Sequence, residues 1–169
     1  HLGRYDRWLV VPRGSRFALP GFRTREFARK YFGGIRAHAR LLLSPGFYEA
    51  FLDYEYILIY HLDALVFSDQ LLEWCERGYD YVGSPLLVEN KRPERGFLSV
   101  GNGGFSLRKV PSLLGATAST RYQVDPEDHW RDHYAHLPWR RKLRRLPQRY
   151  LKRLRLFNGF RWETSRYVR

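Results

Sequence analysis

The chain has 169 residues, 44% of them hydrophobic and 17% aromatic, which is enough for one domain with a true core and excludes a disordered or low-complexity protein. Thirty Lys and Arg against seventeen Asp and Glu leave a formal charge of +13, which favours a polyanionic partner: nucleic acid, an anionic membrane, or a phosphorylated substrate such as a nucleotide sugar. The single cysteine, Cys75, excludes an internal disulfide and any Cys-based metal cage, and a reducing compartment is the default.

In chain order, Trp8-Leu-Val-Val-Pro12 reads as a short strand, followed by a Gly/Pro/Arg-rich connector. Thr24 offers an N-cap ahead of Phe27, Ala28, Tyr31 and Phe32, so a helix is predicted from there to Gly33-Gly34. Helical spacing resumes from Ile35 to Leu43 and stops at Ser44-Pro45, and Phe47 to Leu52 reads as one further short helix. Tyr56 to Tyr60 is an apolar run bounded by acids, as expected of a strand buried on both faces, and it leads straight into His61-Leu-Asp63. Leu71 to Arg77 is a helix closed by Gly78 at C′, and Tyr79 to Pro85 a strand with a Gly-Ser-Pro stop. Val88 to Phe97 is charged and loop-like. Val100 to Arg108 is a glycine-rich turn feeding an alternating strand, and a helix begins at Pro111. Strands separated by helices at this spacing predict an α/β fold with a mostly parallel sheet flanked by helices over residues 1–120.

Residues 121–169 differ in character and read as a basic, largely helical extension or insertion of the same domain. Nine Lys and Arg and no acid fall between Arg140 and Arg155. Trp139, Leu143, Leu146, Tyr150, Leu154 and Phe157 form one apolar stripe on that helix, and Pro147 predicts a kink or two pieces. The stripe suits either packing on the protein's own core or a membrane surface or acidic partner. Nucleic acid is disfavoured, because no helix-turn-helix, zinc-finger or RNP signature accompanies the charge. The abrupt ends of the chain suggest a fragment of a longer protein.

Three groups of residues could carry chemistry. Asp63, fixed at the tip of a buried strand with His61 two residues earlier, could hold a hard divalent cation bridging two phosphates; the plainer alternative is a turn-forming Asp. Gly101-Asn102-Gly103-Gly104-Phe105 could let bare backbone approach a ligand, or form an Asn-Gly hairpin turn. Asp125-Pro-Glu127-Asp128-His129 could supply a general base or a metal site, or be a helix start with acids at its positive end, the simpler account. Cys75 reads as a packing residue.

Tyr54 to Asp69, Trp74-Cys75 with Gly78 to Pro85, and Val100 to Lys109 occur in order, preceded by Arg40-Leu-Leu-Leu-Ser-Pro45 with Phe47-Tyr48. Over about Tyr31 to Lys109 this resembles a family of glycosyltransferases with a GT-A-type, Rossmann-like nucleotide-diphospho-sugar fold, long catalogued as a domain of unknown function. The resemblance implies transfer of a sugar from a nucleotide-diphospho-sugar donor to a glycan or lipid-linked acceptor, often in polysaccharide assembly. It implies a D-x-D element binding Mn²⁺ or Mg²⁺ and the donor diphosphate. Here that element reads His61-Leu-Asp63-Ala-Leu65, so that Asp63 is either the first acid or the second and remains the metal ligand in both registers. His61, Asp63, Gly101, Asn102, Gly103, Gly104, Phe105 and Arg108 are then the donor-binding set, with Arg108 or His61 sharing stabilisation of the diphosphate. The late acidic motif that would hold an inverting base has only one counterpart, Asp125-Pro-Glu127-Asp128, and the base is expected beyond Arg169. The usual first strand of the nucleotide half is also missing, which leaves this stretch open to being inactive alone. A cytoplasmic enzyme, peripheral to the inner face of the membrane through Arg140–Arg155, completes the expectation.

Overall fold

The computed structural model describes residues 2–88, 93–119, 125–154 and 156. The chain folds as mixed α/β. Its first unit comprises residues 1–28 and 46–114, and its second residues 29–45 and 115–169.

The first unit holds two small sheets. Strand β1 (Trp8–Pro12) pairs in parallel with β2 (Arg23–Phe27), in the register Trp8↔Arg23 to Pro12↔Phe27. Residues 24–27 are therefore extended, not the helix that the Thr24 cap signal predicts. The cap is a weak local preference. It is outweighed by the β1 ladder and by the rings on which Arg25 rests, with its guanidinium 4.3 Å from the Trp8 ring centre and 5.1 Å from that of Phe51.

The second sheet has the order β3-β5-β4, where β3 is Tyr56–Tyr60, β4 Tyr81–Leu87 and β5 Phe97–Lys109. Both pairings are antiparallel. This corrects the mostly parallel sheet read from the strand–helix alternation: β3 and β4 do run the same way, but β5 returns between them and takes both sets of hydrogen bonds. The glycine-rich segment is corrected as well. It lies inside β5 and is neither a hairpin turn nor a loop, while residues 89–92 of the expected charged loop lie outside the described residues.

Helix α2 (Pro45–Glu49) is shorter than the run to Leu52 predicts and gives way to turns. It delivers Phe47 and Tyr48, which with Phe51, Val11, Leu107 and Val110 form the buried core of this unit. Each large side chain so buried contributes on the order of 2 kcal/mol. Helix α3 (Leu71–Glu76) ends as its sequence predicts, with Gly78 in the left-handed conformation at φ 73°.

In the second unit, α1 (Ile35–Leu42) buries Leu41 and Leu42. Helix α4 (Val110–Ala118) starts in the first unit and ends in the second. Helix α5 (Pro126–Tyr134) packs with α6 (Trp139–Arg153). Helix α6 runs unbroken through Pro147, so it is not two pieces, although proline removes one main-chain donor from it. Arg155, Phe157 and the terminal run to Arg169 lie outside the described residues. Among the described residues no helix is long and apolar enough to cross a membrane.

Candidate functional site

Because β3 and β4 are both antiparallel to β5, their C-terminal ends and the first half of β5 share one edge of the sheet. His61-Leu-Asp63-Ala64 follows β3 directly and closes a turn, with the Ala64 amide donating to the His61 carbonyl at 3.0 Å. The Tyr60 hydroxyl donates to the Ala64 carbonyl at 2.8 Å and braces the same turn. Asp63 is exposed on it and has no hydrogen-bond or ion-pair partner among the described residues.

The glycine segment meets this turn. The His61 amide donates to the Gly104 carbonyl at 2.8 Å, extending the β3–β5 ladder beyond Tyr60↔Phe105. On the other side, one step along β4 (Gly83 to Ser84) spans four along β5 (Ser106 back to Asn102), so Gly103–Phe105 bulge from the β4 ladder. Bulges of this kind re-aim backbone at sheet edges and beside active sites. A Cβ on Gly104 would come within 2.9 Å of the His61 ring nitrogen Nδ1; the glycine makes room for the imidazole. A Cβ on Gly101 would meet only an ordinary contact, Leu86 Cδ1 at 3.8 Å, so space does not demand glycine there. The Asn102 side chain lies outside what the structure describes.

An open, mostly apolar cleft of about 380 Å³ begins two residues past Asp63. Leu58, Val82 and Leu107 floor it and Phe67, Leu71 and Trp74 wall it, while Ser68, Gln70, Ser84 and Ser106 are its polar positions. Phe105, at the end of the glycine bulge, also lines it. Its size and its few polar groups suit a small organic ligand. Sequence reasoning missed Ser84 and the Phe67–Trp74 wall as site residues; the Gly83-Ser84-Pro85 string signals only a strand end, and nothing local says that it faces a cleft.

Arg108 is tied into the core instead of lying open to a ligand. It is only 6% exposed, with Nε donating to Ser106 Oγ at 3.0 Å and Nη1 to the Tyr48 hydroxyl at 2.7 Å. Burial pushes the Tyr48 phenol above its ordinary pKa, and the Arg108 charge opposes that rise in part.

Glu127 and Asp128 belong to the second unit and are engaged there. The Asp125 side chain caps α5 by accepting from the amides of Glu127 and Asp128, with Pro126 in the first turn. Glu127 pairs with Arg149 and, at 2.9 Å, with Arg153, while Asp128 pairs with Arg131 at 2.6 Å. The hydrogen bond from Arg149 holds the Glu127 carboxyl below the usual carboxylate range. The helix-start account of Asp125–His129 therefore describes this segment. Cys75 is a half-buried free thiol, pushed up in pKa chiefly by burial.

The family model described as "Protein of unknown function (DUF5672)" matches residues 21–152. The chain belongs to that family. No curated protein and no solved structure gives a match. The matched span takes in both the β3–β5–β4 edge and all but the last residue of α6.

As for a metal, among the described residues no three His, Cys, Asp or Glu side chains converge, so these residues do not by themselves build a cation cage. What they offer is Asp63, exposed, with His61 on the same turn. That set fits a hard cation shared with substrate phosphates, which needs only one or two protein oxygens.

Proposed function

We propose that this chain forms the donor-binding part of a glycosyltransferase, moving a sugar from a nucleotide-diphospho-sugar to a glycan or lipid-linked acceptor. The meeting of the His61–Asp63 turn and the glycine bulge at one sheet edge, joined by the His61–Gly104 hydrogen bond and opening on the apolar cleft, carries the reading. In such a transfer the bond from the anomeric carbon to the diphosphate breaks, and the diphosphate leaves with the electron pair. The acceptor oxygen bonds to that carbon and gives up its proton.

Two tasks fall to this chain's own residues. Asp63 and His61 would hold the phosphate side of the donor through a divalent cation: the carboxylate stands exposed on the turn after β3, and the imidazole is located by the gap that Gly104 leaves. Mn²⁺ or Mg²⁺, if bound there, would supply charge stabilisation to the departing diphosphate. The cleft along β4 and α3 takes the flat or apolar part of the donor, with Ser68 and Ser84 as its polar contacts. Arg108 supports the strand from the core and has no direct role. A cytoplasmic setting belongs to the same reading.

Calorimetric titration with UDP and GDP, with and without Mn²⁺, tests it. Metal-assisted binding is expected for one nucleotide, and Asp63→Asn should weaken it at least about tenfold. Failure of both nucleotides to bind overturns the reading. Equal affinity in the Asp63→Asn variant removes Asp63 from it. Nucleotide binding with no hydrolysis of any UDP- or GDP-sugar instead favours a catalytically degenerate scaffold, the alternative that the lone carboxylate supports.

A further inference from the structure

Helix α6 is built the wrong way round for a helix packed on its own core. Trp139, Leu143, Tyr150 and Leu154 fall within about 60° of one another around a helix of 3.6 residues per turn, and all four are exposed, at 65%, 54%, 61% and 70%. The most buried residue of the helix is Lys152, on the opposite side, at 4% exposed. Arg149 and Arg153 bind the Glu127 carboxylate of α5. Polar pairing thus joins α6 to α5; of the apolar stripe Leu146 is half-buried, while Trp139, Leu143, Tyr150 and Leu154 are left facing water.

The stripe is flanked by cations on both sides. Arg140 and Arg144 lie along one edge and Lys142 and Arg153 along the other, in a helix with eight Lys and Arg and no acid. Of the eight, Arg140, Arg141, Lys142, Arg144 and Arg145 have no carboxylate partner among the described residues. We infer that α6 lies on an anionic lipid surface, with Trp139, Leu143, Tyr150 and Leu154 entering the headgroup boundary and Arg140, Lys142 and Arg144 meeting lipid phosphates.

An anionic membrane satisfies both features together. An apolar stripe about 22 Å long with cations on both flanks, and with Trp and Tyr among the stripe residues, matches a helix lying in the interface plane. A second copy of the chain would bring two unneutralised basic helices together. A nucleic acid would neutralise the flanks and leave the stripe in contact with polar groups or water. The inference stands apart from the donor-site reading, since it uses none of the same residues.

Co-sedimentation of the whole chain with phosphatidylcholine vesicles, with and without phosphatidylglycerol, tests it. Binding is expected only with the anionic lipid and should fall as salt rises from about 0.1 M towards 1 M, where the screening length shrinks from about 10 Å to 3 Å. Leu143→Gln with Leu154→Gln keeps the charge and should lower binding at least about tenfold, because two side chains lose their apolar burial. Arg140→Gln with Arg144→Gln should lower it about fivefold per residue. All four sites are exposed, so folding is spared, and Trp139→Phe should reduce the vesicle-induced fluorescence shift while keeping most of the binding. Undiminished binding of the double Leu→Gln variant overturns the inference. So does equal binding to neutral vesicles, and so does absence of vesicle binding, whether the protein then binds RNA or forms a dimer that the Leu substitutions dissolve.

Discussion

Arg108 sits in the core opposite hydroxyls and a ring, not a carboxylate: Ser106, Tyr48, and the Tyr81 face 5.5 Å away. A buried cation tolerates such neutral company only while its hydrogen bonds are kept. Tyr48→Phe should therefore cost about 1–3 kcal/mol, read as a lower denaturant midpoint, and a change under about 0.5 kcal/mol would show that the pair is idle. The raised Tyr48 phenol adds a pH signature. The folded state keeps this proton where the unfolded chain loses it, so stability is full below about pH 10 and declines as pH rises beyond it; the Phe variant should flatten that decline. At Gly104 the constraint is space. Gly104→Ala drives a methyl to within 2.9 Å of the His61 ring, and the imidazole must swing away. The expected result is a small stability loss, about 1–2 kcal/mol, with weaker UDP or GDP binding; Gly101→Ala, which meets no close atom, serves as the contrast.

At the scale of elements, what decides each segment is its partner. Residues 24–27 carry an acceptable helix start, yet β1 and the Trp8 and Phe51 rings take them as a strand. The glycine run carries an acceptable hairpin signal, yet β3 and β4 on either side hold it extended, with the mismatch absorbed as a bulge. The joint between α5 and α6 depends on one carboxylate, Glu127, facing Arg149 and Arg153. Its pKa is lowered in the folded state, so its contribution is present above the ordinary carboxylate value of about 4.3 and is lost as pH falls below it. Amide exchange of α6 should accelerate at acid pH in the natural chain, relative to α3 as an internal reference, and Glu127→Gln should give the faster exchange already at neutral pH. Identical exchange in the two proteins would show that apolar contacts alone hold the helices together.

For the molecule as a whole, the sequence by itself determines the α/β class, the strand Tyr56–Tyr60 with Asp63 close behind it, the helix stopped by Gly78, the helix start at Asp125–His129 and the basic helix. These are local matters: apolar runs, caps and left-handed glycines act through neighbours a few residues away. Tertiary structure alone decides that β5 runs antiparallel between β3 and β4, that Gly104 and His61 share one space, that Arg108 is a core residue, and that the apolar stripe of α6 faces outward. Each of these depends on which distant segment arrives opposite, and a periodic pattern reports that a face is apolar without reporting what covers it. The charge of +13 is plain from composition; only the fold shows that Arg140, Lys142 and Arg144 flank an exposed apolar stripe.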